Sequence, residues 1–292
     1  MRKLIWTCSQ GGHYGGYADR LKGIVTAYLL AKQCDREFFI EWDGLTNLQE
    51  CFEVPCVWDG PRQSSWMHFR TIDNLVTEEH VRALVSVLSD IKTEAVYISM
   101  NQYDQPHWKL LTVCDTHHSM AATFSAVLNL LLTPKPAITD HPAYLAAAEF
   151  LETQKPVGVQ VRTGEYPYED GVECADTRDV LKRVMQDRAP GVFIASDSPF
   201  WKDHLSLIAE IPSYQIPFTP AHIERSAPDY IRDTFLLTVI EHQILSKCSK
   251  VYTGWGGFGR TAAWWGGKPC INLLLPPAQS DGRGDAVGGP RL

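Results

Sequence analysis

A chain of 292 residues, 45% hydrophobic and 21% charged, has the size and apolar content for one large or two ordinary cores. Its formal charge of −7 excludes the dense positive field of non-specific nucleic-acid binding, while leaving room for one local cationic pocket. The eight cysteines, at 8, 34, 51, 56, 114, 174, 248 and 270, form no Cys-x-x-Cys pair, so neither a zinc nor a redox motif is expected. Scattered reduced thiols in so long a chain fit a cytoplasmic protein.

Two basic residues lead into Leu4–Cys8, which reads as a buried strand and is too short for a signal peptide or a membrane span. The apolar run Val127–Leu132 is also too short, so no membrane span is expected. Gln10–Gly16 is rich in turn formers. From Asp19 the period changes: Leu21, Ile24, Val25, Tyr28 and Leu29 predict a helix to about Lys32, followed by a strand at Glu37–Trp42. Strand, glycine loop, helix and strand open a Rossmann-type unit. A helix from Thr77 to Leu88, a strand at Ala95–Ser99 and a buried helix at Ala121–Leu132 follow. Thr133-Pro-Lys-Pro136 reads as a hinge between two halves, because proline stops helices and stiffens linkers.

Beyond the hinge, strands are predicted at Val157–Val161, Val192–Ser196, Tyr214–Pro217, Val251–Thr253 and Cys270–Leu274. Helices are predicted at Thr177–Asp187, Phe200–Ile208, Asp229–Ser246 and Phe258–Gly266. Such alternation implies an α/β fold with a parallel sheet covered on both faces. The expected domains are 1–135 and 136–279, with a Gly-rich polar tail at 280–292.

Ligands of open parallel sheets bind beyond the carboxyl ends of the strands, and four segments stand at such ends. Gln160-Val-Arg-Thr-Gly-Glu165 places Gln160 and Arg162 on one face, and a guanidinium matches phosphate oxygens. An ion pair of Arg162 with Glu165 or Asp197 explains the arginine equally well. Ser196-Asp-Ser198 offers either base or ribose contacts at Asp197 or a cap for the next helix. Thr253-Gly-Trp-Gly-Gly-Phe-Gly-Arg260 leads a strand through glycines into a helix amino terminus, which is an anion site or an ordinary glycine loop. Gly15-Gly-Tyr-Ala-Asp-Arg20 brings Asp19 and Arg20 to a helix start.

A nicotinamide-nucleotide site is disfavoured. Gly11, Gly12, Gly15 and Gly16 lack the Gly-x-Gly-x-x-Gly spacing, and Glu41 at a strand end is too common a feature to restore it. His117 and His118, beside Cys114, read as adjacent strand residues pointing to opposite faces, hence structural rather than metal ligands. Trp255, Trp264 and Trp265 either stack on a sugar or base or fill the core, the core being favoured.

In order and spacing the four segments resemble the fucosyltransferase superfamily that includes α-1,6-, xyloglucan and protein O-fucosyltransferases. That group carries Gly-x-Gly-Asn-Arg-Leu-x-Gly, His-x-Arg-x-x-Asp, Thr-Asp and late Ser/Thr-rich segments. The counterparts are Gly16–Gly23, Gln160–Glu165, Ser196-Asp197 and Thr253–Gly259. The resemblance implies a GT-B fold of two Rossmann-like domains facing each other across a cleft, and an inverting, metal-independent glycosyltransferase without cofactor. It implies a nucleotide-sugar donor, GDP-fucose by default, and an oligosaccharide or glycoconjugate acceptor. Arg162 takes the diphosphate position and Asp197 the nucleoside position. Gly15, Gly16, Arg20, Gln160, Ser196, Thr253, Gly254, Gly256, Gly257, Phe258, Gly259 and Arg260 complete the expected donor set. Asp19, His13 and Glu165 are the candidate bases, with helix cap, loop residue and partner of Arg162 as their respective alternatives. Gln160 stands where the family has histidine, Glu165 where it has aspartate and Asp19 where it has asparagine, while Gly254 and Gly256 replace hydroxyl residues. These departures leave open a non-fucose donor or a catalytically silent binding protein.

Overall fold

The structure is a computed structural model that describes residues 2–8, 15–42, 46–61, 67–70, 77–101, 117–162, 177–220, 223, 226–254 and 256–273. His13, Cys114, Glu165, Trp255 and the tail from residue 280 lie outside the described residues. The elements in chain order are β1 (Lys3–Thr7), α1 (Tyr17–Gln33), β2 (Glu37–Glu41), α2 (Leu48–Cys51), β3 (Phe52–Glu53), β4 (Met67–Arg70), α3 (Glu78–Asp90), β5 (Ala95–Ser99), α4 (His117–Leu131), β6 (Thr133–Pro134) and α5 (Pro136–Thr139). They continue with α6 (Pro142–Gln154), β7 (Val157–Val161), α7 (Thr177–Gln186), β8 (Val192–Ser196), α8 (Pro199–Ile208), β9 (Ser213–Gln215), α9 (Pro228–Lys247), β10 (Val251–Thr253), α10 (Phe258–Trp265) and β11 (Cys270–Asn272).

The chain divides into two compact units. One comprises Met1–Asp115, Thr123–Ile138 and Ala221–Leu236; the other comprises Thr116–Ala122, Thr139–Pro220 and Leu237–Leu292. The helices α4 and α9 each begin in one unit and end in the other.

The first unit is built on a four-stranded sheet of order β2-β1-β5-β4, parallel at every pairing. The inner strands β1 and β5 are almost continuous apolar runs, as strands covered on both faces must be, and Leu4, Ile5, Trp6, Val96 and Ile98 are fully buried. Helix α1 lays Leu21, Ile24, Val25 and Leu30 into the same core. It starts two residues before the predicted Asp19, because Gly16 takes the N-cap position and Asp19 becomes the third helical residue. His117 and His118 open α4 rather than lying in a strand, so the opposite-face reading of these two residues is corrected. The predicted hinge has its own pairing: Thr133 and Pro134 lie antiparallel to Phe52 and Glu53, and the Lys135 amide donates to Cys51 O at 2.9 Å.

The second unit carries a five-stranded sheet of order β11-β10-β7-β8-β9, again parallel throughout. Its core gathers Val157, Val159, Val161, Val192, Ile194, Leu205 and Tyr252. Predicted and observed strands differ by a residue or two at their ends. Tyr214–Pro217, for example, becomes Ser213–Gln215, since Pro217 has no N–H for the ladder. Helix α6 has no counterpart in the sequence reading.

None of the six described cysteines forms a disulfide. No described helix is long and apolar enough to cross a membrane.

Gly23 shows how tightly the first unit is closed. In mid-helix, glycine costs about 1 kcal/mol relative to alanine. Yet a Cβ there would lie 1.8 Å from Met100 O and 2.6 Å from Trp6 Nε1, the two groups that hydrogen-bond each other at 3.0 Å. Steric overlap with a backbone carbonyl outweighs the propensity term. Gly23→Ala is therefore expected to destabilise the chain by about 2 kcal/mol or more in urea titration; an unchanged or raised midpoint would refute this packing.

Candidate nucleotide-binding site

In the second unit the chain passes from β7 to β8 and β9 on one side, then returns to place β10 and β11 on the other. The strand order thus reverses between β7 and β10, and the crevice beyond their carboxyl ends is where such sheets take ligands. Residues Gln160 and Thr253 are direct register partners there. The Thr253 hydroxyl donates to Gln160 Oε1 at 2.9 Å, and the Gly254 amide donates to Gln160 O at 3.2 Å. Both side chains are buried, so this bond satisfies polar atoms that would otherwise be costly.

Arg162 follows β7 immediately and is half-buried. Gly256 lies against it: its φ is +95°, and a Cβ would stand 3.3 Å from Arg162 Nη1. Only glycine combines that backbone angle with so close an approach at little cost. Gly257 is the N-cap of α10 and has no side chain to accept a cap bond. The first amides of a helix have no intrahelical acceptor, and the helix dipole adds partial positive charge at this end. At Gly259, a Cβ would stand 2.9 Å from both Gln160 Cβ and Thr253 Oγ1, so the first turn of α10 is pressed onto the ends of β7 and β10. Phe258 opens the helix and Arg260 follows in its first turn, the guanidinium over the Trp264 ring at 5.8 Å. Trp264 and Trp265 are buried and belong to the core. Gln160, Arg162, Thr253, Gly254, Gly256, Gly257, Phe258, Gly259 and Arg260 therefore lie together at the carboxyl ends of β7 and β10 and in the first turn of α10.

One strand over, β8 ends at Ser196, whose buried hydroxyl accepts the Ser198 amide at 3.2 Å. Ser198 occupies the N-cap position of α8 without a side-chain cap bond, and Asp197 lies between it and the end of β8. Two buried groups that the sequence reading did not single out support this rim. The Lys202 ammonium meets Glu241 Oε1 at 2.6 Å, both side chains being 1% exposed. Burial pushes the Glu241 carboxyl up to about 7, with Lys202 opposing and Asp197 adding to the shift. The neighbouring His242 ring stands edge-on to Phe258 at 5.0 Å, and its Nε2 lies 3.0 Å from Thr261 Oγ1. The Thr261 hydroxyl also lies 2.8 Å from Gly257 O, which links the imidazole to the N-cap of α10. Burial holds that ring down at about 3, so it is neutral at ordinary pH. A chain of hydrogen bonds from α9 thus steadies the N-cap of α10.

The remaining expected residues among those described, Gly15, Gly16, Asp19 and Arg20, lie in the first unit. Gly15 has φ +75°, and its carbonyl accepts from Arg20 Nε at 3.4 Å. The Gly16 amide donates to Asp19 Oδ2 at 3.3 Å, and Asp19 pairs with Lys22 at 2.8 Å, so Asp19 serves the start of α1. Arg20 is buried, with Nη1 3.1 Å from Cys8 Sγ and the guanidinium 5.3 Å from the Trp42 ring centre. Among the described residues, no group of three or more His, Cys, Asp or Glu side chains could hold a metal ion.

The fold is that of solved fucosyltransferases. The structure matches a mutant of Arabidopsis thaliana FUT1 in complex with GDP over 96% of this chain and 73% of that one, with TM-score 0.62 and 13% identity. It matches NodZ α-1,6-fucosyltransferase soaked with GDP-fucose over 93% and 95% of the two chains, with TM-score 0.58 and 13% identity. The match to fucosyltransferase NodZ from Bradyrhizobium covers 95% and 97%, with TM-score 0.57 and 15% identity. No protein-family model and no curated protein sequence matches the chain. At these identities the likeness establishes the α/β fold with its two parallel sheets.

The two perturbed groups on α9 oppose each other in pH. Folded, Glu241 holds its proton more tightly than its ordinary value of 4.5, so its contribution to stability is full below that value and lost as pH rises through about 7. His242 is the reverse. The unfolded ring binds a proton near 6.5 and the folded ring near 3, so stability is present above 6.5 and lost as pH falls towards 3. Glu241→Gln should remove the first dependence and leave Tm rising with pH between about 4.5 and 6.5. Calorimetry across that window checks it, and a variant profile parallel to that of the unaltered chain would contradict the assignment.

Proposed function

We propose that this chain is an inverting, metal-independent glycosyltransferase of the GT-B type, whose donor is a nucleoside-diphosphate sugar held at the carboxyl ends of β7 and β10. The observation that carries the reading is the placement of Arg162 against Gly256, beside the amino terminus of α10. A fixed cation and a helix amino terminus at one strand-order reversal form a diphosphate site. In this reading residues 136–279 hold the donor and residues 1–135 serve the acceptor, an oligosaccharide or glycoconjugate hydroxyl. The likeness to GDP- and GDP-fucose-bound fucosyltransferase structures supports a GDP-sugar, fucose first.

The chemistry follows from the charges. The acceptor oxygen attacks the anomeric carbon as the bond to the diphosphate oxygen breaks, and the electron pair leaves with the diphosphate. Arg162, Arg260 and the α10 amides meet the charge that develops there, the role that fixed donors fill in a transition state. The acceptor proton passes to a base, for which Asp19, His13 and Glu165 are the candidates. With Asp19 already engaged by Lys22 and by the Gly16 amide, Asp19→Asn keeps the cap and should lower turnover by less than about tenfold. A loss of a thousandfold would make Asp19 the base.

A donor other than GDP-fucose is the second reading. Gln160 stands at the position of the family's histidine, and its Oε1 already accepts from Thr253. Thermal shift with a panel of nucleoside diphosphates and nucleotide sugars separates the two.

Arg162→Ala tests the site itself. Loss of a charge-assisted hydrogen bond costs about 1.5–3 kcal/mol, so the Kd for the nucleoside diphosphate should rise by roughly 10- to 150-fold with the fold unchanged. Undiminished binding and turnover in the variant would sink the assignment. Activity abolished by a chelator and restored by manganese would sink the metal-independent mechanism.

A further inference from the structure

Lys202 lies on α8 and is 1% exposed, an uncommon place for an ammonium group. All three of its hydrogens are used: it donates to Glu241 Oε1 at 2.6 Å, Phe218 O at 2.9 Å and Ile216 O at 3.1 Å. It also lies 4.4 Å from the centre of the Phe218 ring. Stability is a poor explanation for such a pair, because buried ion pairs replaced together by apolar groups of similar volume often cost nothing. What the pair does uniquely is geometric. It ties α8 and α9 to the two carbonyls just after β9, at the same carboxyl edge of the sheet as Arg162 and Asp197.

We infer that Lys202 and Glu241 are positioning residues for the nucleoside half of the donor, holding the Ile216–Phe218 backbone in place at the carboxyl end of β9. The inference rests on the donor site proposed above and deepens it. A diphosphate between β7 and β10 leaves its nucleoside to run along the edge of the sheet. Adjacent strands are about 4.8 Å apart, so the end of β9 lies roughly two strand spacings, ~10 Å, from β7. On that side the order is β7, β8, β9, and β8 ends in Ser196-Asp197, which offers a hydroxyl and a carboxylate to a base or ribose. The Ile216–Phe218 segment is the next backbone beyond it. Lys202 and Glu241 touch no donor atom in this account; they act through the carbonyls that Lys202 holds.

The test uses the full chain, with GDP and inorganic pyrophosphate as separate probes in titration calorimetry. The double variant Lys202→Met/Glu241→Leu should unfold within a few degrees of the unaltered chain. It should bind GDP at least tenfold more weakly, while its affinity for pyrophosphate changes less than twofold. Arg162→Ala should lose both ligands, which a general loosening of the unit would also do and the double variant should not. A folded double variant that binds GDP normally, or that loses pyrophosphate as much as GDP, overturns the inference. If the double variant does not fold, Lys202→Met alone at pH 6, where Glu241 can carry its proton, is judged by the same contrast and the same limits. Failure of the unaltered chain to bind GDP or any other nucleoside diphosphate overturns the donor site and this inference together.

Discussion

The Thr253–Gln160 hydrogen bond joins residues 93 apart in the chain where β7 and β10 run side by side, and the candidate site hangs on that adjacency. Placing β10 beside β7 rather than beside β9 creates the reversal of strand order, and with it an opening at the carboxyl ends. Gly259 lets α10 settle on both strand ends at a distance no side chain would allow, and Gly256 lets the backbone pass directly against Arg162. A guanidinium, a helix amino terminus and two buried polar strand ends then lie side by side. Polar groups so placed cost free energy unless each finds a partner. Here the partners come from the site itself, from Thr253 to Gln160 and from Gly254 to the Gln160 carbonyl.

Support for the crevice comes from one helix behind it. Consecutive residues of α9 carry it: Glu241 reaches Lys202 on α8, and His242 reaches Thr261 on α10. The first steadies the β8–β9 side of the rim and the second the N-cap of α10. Their protonation is opposed, since burial favours the neutral form of each, raising the acid and lowering the base. The first unit shows a different economy. Arg20, a cation at a glycine-rich helix start, is buried among Cys8, the Gly15 carbonyl and Trp42, and Asp19 completes the helix start. Those two residues hold the turn into α1 in shape.

Much of this was legible in the sequence, for identifiable reasons. Inner strands such as β7 and β8 are short, largely apolar and buried along their whole length, and the glycine cluster before α10 sits directly after β10. Gln160, Arg162 and the Gly256–Arg260 segment accordingly lie near one another at the ends of β7 and β10. Helix α6 escaped notice because Ala147 is its one fully buried side chain, while Leu145 stays largely exposed, so no apolar stripe marks it. The pairing of Thr133 and Pro134 with Phe52 and Glu53 is not legible, because proline composition does not reveal a two-residue ladder. Lys202 and Glu241 lie in helices that periodicity located well, but 39 residues separate them, and no local pattern announces that two charges will meet in the core.

A crystal structure of the chain grown with GDP tests the central claim most directly. The diphosphate is expected within hydrogen-bonding distance of the Arg162 guanidinium and the first amides of α10, with the nucleoside directed towards Asp197. A diphosphate bound anywhere else, for instance beyond β1 and β5 in the first unit, would contradict that claim.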